Sequence, residues 1–289
     1  MTHYNNARQM ARVAIVGGGE LGGLLAHALA RRDVAPDVRL VDDNGRAAAG
    51  KALDIGQAAP IEGFASNVTG SADLSVVASA SVVVIADPFD ARERTAEAAM
   101  LLLKRIHDFA PAAVIVCAGA SDCGLIDGSV RELRVPRTQV LGSAPEALAG
   151  GVRALTAIEL NGAPTDVSLS VLGIPPDHIV IPWEDATVAG FSLGRALSEP
   201  ARRRLDSRVA GLWPPGPFAL ASAGAKIISA VLRGSRQLVT CFVAPDDSSG
   251  VRARAGALPV RLGRTGVTEV TMPALSVRER VRLENAMML

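Results

Sequence analysis

The stretch Val13–Gly23, VAIVGGGELGG, limits what this chain can fold into more than any other. Val13, Ala14, Ile15 and Val16 form a short apolar run of the kind found in a strand buried on both faces of a parallel sheet. Gly17, Gly19 and Gly22 follow it in G-x-G-x-x-G spacing. The first glycine permits a tight turn, the second lets backbone approach a pyrophosphate, and the third lets the next helix pack close to the strand. The start of that helix offers unpaired N–H groups and a partial positive charge to an anion. At roughly the 20-residue distance expected of such a unit, Val38-Arg39-Leu40-Val41 ends in Asp42. A carboxylate there bonds both ribose hydroxyls of an adenosine and repels a 2′-phosphate, which favours NAD over NADP. The plainer reading makes Asp42 and Asp43 strand-end turn residues and the glycines packing devices.

Strand and helix signals alternate through the first half. Strands are expected at Val13–Val16, Val38–Val41, Asn67–Gly70, Val82–Ile85, Val114–Cys117 and Gln139–Leu141, and helices at Glu20–Arg32, Arg46–Gln57, Arg92–Phe109 and Cys123–Leu133. In Arg92–Phe109 the apolar residues Ala96, Ala99, Met100, Leu103, Ile106 and Phe109 recur at helical steps, and Asp90 with Glu93 resembles a capping box. That placement puts Arg92 and Arg94 on a solvated helix face. The pattern changes after Gly142: a helix at Glu146–Leu160, strands at Val167–Leu172 and Ile179–Ile181, and an Arg-rich helix Gly194–Leu212 broken near Pro200. Helix Ala219–Leu232, strands Leu238–Val243, Leu258–Leu262 and Val267–Thr271, and helix Ser276–Met287 complete the chain. The expected class is α/β: a Rossmann-type doubly wound parallel sheet over residues 1–142, followed by an α+β domain over residues 143–289.

Composition removes several function classes. The net charge of +1 and the lack of a basic stripe give no electrostatic case for nucleic acid or a membrane surface as partner. No apolar run reaches the ~18 residues that span a bilayer. The start, MTHYNNARQMAR, lacks a signal-peptide core, so a cytoplasmic location is expected. Cys117, Cys123 and Cys241 contain no CxxC pair, which points to buried thiols and to neither a disulfide framework nor a metal site.

Further residues resemble a known family, the NAD-dependent lactate/malate dehydrogenases, and among them the malate-type members. The landmarks are VAIVGGGELGG at 13–23, LVDD at 40–43, GKALDIGQAAPIEGF at 50–64, VTGS at 68–71, VVVIA at 82–86, VLG at 140–142, TAIEL at 156–160, VLG at 171–173 and TVAG at 187–190. The resemblance implies hydride transfer between NAD and the carbon bearing a 2-hydroxyl group of a small acid. It calls for a neutral histidine base, an aspartate that fixes its tautomer, an arginine forked onto the substrate carboxylate, and an arginine-bearing lid. Leu148 stands at the aspartate's position, Gly151 at the arginine's and Pro175 at the histidine's. Only Ala86-Asp87-Pro88-Phe89-Asp90 remains where the lid would lie, and Gly119-Ala120-Ser121-Asp122 replaces the family's Asn-Pro-x-Asp. The family's pocket serine aligns with Pro217. Asp87 takes the place of a glycine near the pyrophosphate, where an inward-pointing carboxylate repels phosphates. His178 beside Asp177 offers a displaced pair, but a structural strand-end histidine is the better reading, as it is for the helical His27 and His107.

The combined expectation is a malate dehydrogenase-like, NAD-binding member of an oxidoreductase family that is catalytically inactive or strongly impaired. Its cofactor contacts are Gly17, Gly19, Gly22 and Asp42, and no residue takes a catalytic role. The resemblance also implies a homo-oligomer, dimer or tetramer. The alternative is an active NAD-dependent oxidoreductase, of malate/lactate type or with an altered substrate, that uses other residues.

Overall fold

The computed structural model describes residues 11–246 and 254–288, so the leader-free reading of residues 1–10 lies outside the described residues. Alternation of short apolar runs and helices produces β1 (Arg12–Val16), α1 (Glu20–Arg31), β2 (Asp37–Val41), α2 (Gly45–Glu62), β3 (Asn67–Ser71), β4 (Val82–Ile85), α3 (Ala96–Phe109), β5 (Val114–Cys117), α4 (Cys123–Arg131) and β6 (Val140–Gly142). All six strands pair in parallel in the order β3-β2-β1-β4-β5-β6. Every residue of β4 and β5 is buried, as sequences apolar on both faces require when helices cover the sheet. The strand order reverses between β1 and β4, and their carboxyl ends form the rim of a crevice, the usual place for a ligand in such a sheet.

The rest of the chain comprises α5 (Ala144–Leu160), β7 (Val167–Ser168), β8 (Leu172–Ile174), β9 (His178–Val180), β10 (Thr187–Val188), β11 (Phe191–Ser192), the single turn α6 (Leu193–Ala196), α7 (Glu199–Val209), α8 (Pro217–Arg233), β12 (Leu238–Val243), β13 (Gly256–Gly263), β14 (Gly266–Val270) and α9 (Val277–Met288). The main sheet continues past β6 through β12, β13, β8 and β9, and β6 joins β12 antiparallel at the pair Gly142 and Phe242. Strands β7, β10 and β11 form a separate antiparallel sheet. The main core gathers β1 to β6, α1, α8 and β12 to β13 around Ile15, Leu25, Ile115 and Phe242. A second core, around Leu148, Leu169, Trp183 and Leu205, ties α5 to α7 and the small sheet. No single described helix is long and apolar enough to cross a membrane.

Three expectations are corrected. The helix expected from Arg92 begins at Ala96, because Thr95 caps it by accepting from the Ala98 N–H at 3.3 Å. Asp90 instead closes a local turn onto the Arg92 N–H, so Arg92 and Arg94 lie in the loop before α3. Helix α2 runs on through Pro60 to Glu62 and stops at Gly63, whose φ of +78° is left-handed. The interruption expected near Pro200 is present, at Leu197 and Ser198 between α6 and α7, and Pro200 itself lies in the first turn of α7, where a missing N–H costs nothing. The single strand expected at Val167–Leu172 is two, β7 and β8, in different sheets.

Candidate functional site

The glycine turn joins β1 to α1 at the crevice. Gly17 has a φ of +125°, and a side chain there would strike the Ala86 carbonyl; one on Gly22 would strike the Gly17 carbonyl. The Gly17 N–H donates to the Val41 carbonyl at 2.8 Å, which sets the turn beside the end of β2. Asp42, the next residue, is buried, and its carboxylate accepts from the N–H groups of Gly18 (2.7 Å), Phe89 (2.9 Å) and Asn44 (2.9 Å). Three of the roughly four acceptor positions of a carboxylate are therefore taken inside the protein. Gly17, Gly19, Gly22 and Asp42 thus converge as the spacing expects.

Asp87 points inward. Its carboxylate accepts from the Gly22 N–H at 3.0 Å and the Leu21 N–H at 3.3 Å, two of the free donors of α1, while its backbone carbonyl accepts from the Gly19 N–H at 2.9 Å. An anion bound at a helix start is stabilised by these donors and by the helix dipole, and here the anion is the protein's own. The Arg94 guanidinium pins the same segment from the other side by donating to the Ala86 carbonyl at 2.6 Å. Below the turn, Lys51 donates to the Gly18 and Gly19 carbonyls at 2.8 and 2.6 Å, with its ammonium 5.7 Å from the centre of the Phe89 ring.

Two cavities flank this segment. One, about 490 Å³, lies on the β2 side and is lined by Asp42, Asp43, Asp73 and Arg105 among others. The other, about 500 Å³, lies between the ends of β4 and β5 against Leu21, Met100, Ser121 and Asp122. Pro88, Arg92, Glu93 and Arg94 line both, and neither is lined by a histidine. Burial raises the Asp122 carboxyl above its ordinary value, against the opposing pull of the Gly119 N–H and Arg94.

The positions singled out by the resemblance lie elsewhere. Leu148 is 1% exposed within the second core, Gly151 lies so close to the Leu212 side chain that a Cβ there would come within 3.2 Å of it, and Pro175 is buried. His178 is exposed and lines neither cavity. His27 pairs with Glu62 at 3.2 Å on the surface. Burial first, then the Asp127 and Asp122 carboxylates, push the Cys123 thiol up to about 12, and it donates to the Ala255 carbonyl. Asp122 and Lys51 are site residues that sequence reasoning passed over, and Arg94 is one that it assigned to a solvated helix face in preference to a substrate role. For Arg94 the usable signal was Thr95, a better cap than Asp90 and one that frees the preceding residues from the helix.

A parallel sheet in the order 3-2-1-4-5-6, with a glycine turn at its switch point and a carboxylate closing β2, defines a Rossmann-type dinucleotide-binding α/β protein. Residues 11–94 match the family described as lactate/malate dehydrogenase, NAD binding domain. A malate dehydrogenase of Neorickettsia sennetsu is 28% identical over 300 residues, covering 95% of each chain. The malate dehydrogenase structure from Salinibacter ruber superposes with a TM-score of 0.86 at 25% identity, covering 95% of this chain and 93% of that one. The lactate dehydrogenase of Cryptosporidium parvum, solved with lactic acid and NAD, gives 0.85 at 22% identity over 96% and 94% of the two chains. The chain is thus similar to lactate/malate dehydrogenases over nearly its whole length, and residues 11–94 match the NAD-binding domain of that family. Asp42 stands where the adenosine ribose of that cofactor would be held, with its Oδ2 atom already taken by the Gly18 and Phe89 N–H groups, and the helix start that takes a diphosphate is filled by Asp87.

Proposed function

We propose that this chain is a malate dehydrogenase-like NAD(H)-binding protein that has lost the family's 2-hydroxy-acid reaction centre and works as a nucleotide-responsive or partner-binding protein. The observation that carries the reading is Leu148, which seals an apolar core at the place the resemblance gives to the tautomer-fixing aspartate. A core leucine holds no histidine in register, and Pro175 supplies no base for it to hold. A general base contributes about 10²–10⁴ in rate, and loss of the carboxylate clamp and lid removes orientation and water exclusion as well. Residues 1–142 serve as the nucleotide-binding part and residues 143–289 as the rest, in a cytoplasmic protein that assembles into dimers or tetramers. Gly17, Gly19, Gly22 and Asp42 are its nucleotide contacts.

The experiment is a calorimetric titration with NAD and NADH, repeated on Asp42→Ala, with a malate/oxaloacetate absorbance assay alongside. Binding that Asp42→Ala abolishes, with no turnover, supports the reading; turnover at a rate ordinary for a dehydrogenase overturns it. A second reading rests on Asp122, a carboxyl raised by burial that shares a cavity with Arg94, and this pair suits acid–base work on an altered substrate. Under that reading, turnover of some 2-hydroxy or carbonyl compound appears and is lost in both Asp122→Asn and Arg94→Gln.

A further inference from the structure

The segment Ala86–Phe89 meets the glycine turn at more points than a strand end needs. Its Asp87 carboxylate sits on the Leu21 and Gly22 amides, its Asp87 carbonyl receives the Gly19 N–H, and its Phe89 N–H donates to the Asp42 Oδ2 atom. A side chain on Gly19 would collide with the Asp87 carboxylate, and one on Gly17 with the Ala86 carbonyl. The segment therefore lies directly on the turn and divides the crevice into the two cavities that adjoin it. Two anions cannot share two amide donors a few ångströms apart, because each loses its solvation and repels the other.

We propose that Ala86–Phe89 is an internal competitor of the dinucleotide: Asp87 stands in for the diphosphate at the start of α1, and the Phe89 N–H occupies the Asp42 oxygen that a ribose hydroxyl needs. The proposal rests on the reading that this chain binds NAD(H). Entry of the dinucleotide lifts the segment, and the same movement clears both positions, since Asp87 and Phe89 lie two residues apart on one short connection. Arg94, which holds the Ala86 carbonyl, opposes that movement. Affinity for NADH is set by the cost of displacing a built-in carboxylate, and ligands without a phosphate escape the charge part of that cost.

The test is NADH titration, followed by its fluorescence, of the wild type, Asp87→Gly and Asp87→Asn, with adenosine titrated calorimetrically and thermal melts verifying that each variant is folded. Asp87→Gly is expected to bind NADH at least about tenfold more tightly than the wild type, with Asp87→Asn between them and adenosine tightened clearly less than NADH. NADH affinity equal to or weaker than wild type in both folded variants overturns the competitor while leaving the NAD reading intact. Equal tightening of NADH and adenosine overturns the assignment of Asp87 to the diphosphate position. Failure of all three proteins to bind NADH overturns the competitor together with the nucleotide reading.

Discussion

Glu146 offers the most direct test of how α5 is tied to α8 and β12. It is 3% exposed on α5, and its Oε1 atom accepts from Arg153 and from Lys226 on α8, each at 2.7 Å, while Oε2 accepts from the Thr240 N–H of β12 at 2.9 Å. Replacement by glutamine keeps the shape and removes the charge. Two charge-assisted bonds then become ordinary ones, a loss of about 1 kcal/mol each. Lys226 is one-third exposed, so water screens its share to about half. Adding the strained choice of which amide atom faces Thr240, the total is about 2 kcal/mol, or about 3 °C in Tm. Burial alone would raise the Glu146 carboxyl, but Arg153, Lys226 and the Thr240 N–H outweigh it and hold the group below its ordinary value. A depressed native value means stability that is present above the unfolded glutamate range and lost as pH falls through the native one. Urea unfolding of wild type and Glu146→Gln, read by tryptophan fluorescence, is expected to differ most at neutral pH and to converge in acid. Equal stability at pH 7, or a gap that does not close in acid, refutes the reasoning.

Asp122 is expected to behave in the opposite sense. Its raised carboxyl contributes stability only in acid and loses it as pH rises through the native value, so Asp122→Asn, which keeps an acceptor for the Gly119 N–H, raises Tm at neutral pH and not at low pH. Cys123, pushed up to about 12, is expected to resist iodoacetamide at pH 8 in the native protein and to react once urea is added. Phe242→Ala removes a side chain that is 1% exposed and stacked edge-on against Trp213 at 6.0 Å, which should cost about 3–5 kcal/mol in denaturant unfolding.

The parts of the fold legible in the sequence are those whose signal is local. Val82–Ile85 and Val114–Cys117 are apolar on both faces, and they occupy fully buried parallel strands because only such strands tolerate that pattern. Gly17, Gly19 and Gly22 foretell a close approach of backbone, which is found against Ala86 and Asp87. The direction of the Asp87 side chain was not legible, because it depends on donors at Leu21 and Gly22 that lie 65 and more residues away in the chain. The start of α3 is ambiguous in the sequence because Asp90 and Thr95 are both good caps; in the structure Thr95 takes the helix start and Asp90 closes a turn onto the Arg92 N–H. The break between β7 and β8 likewise depends on partners far along the chain, Val188 for one and Ala257 for the other.

The single pair that joins β6 to β12, Gly142 with Phe242, has a consequence for the order of events during synthesis and folding. Strands β1 to β6 find their partners within the first part of the chain, through crossovers that α1 to α4 supply. The outer side of β6 must wait for a strand that begins at Leu238. Until β12 arrives, Val140-Leu141-Gly142 is an apolar edge with open hydrogen-bonding groups, the kind of template on which another nascent chain can add. Refolding yield should therefore fall steeply with protein concentration, and a substitution that delays β12, such as Phe242→Ala, should steepen it. The nucleotide-binding half pays for its long-range partner with a period of exposure that the finished molecule no longer reveals.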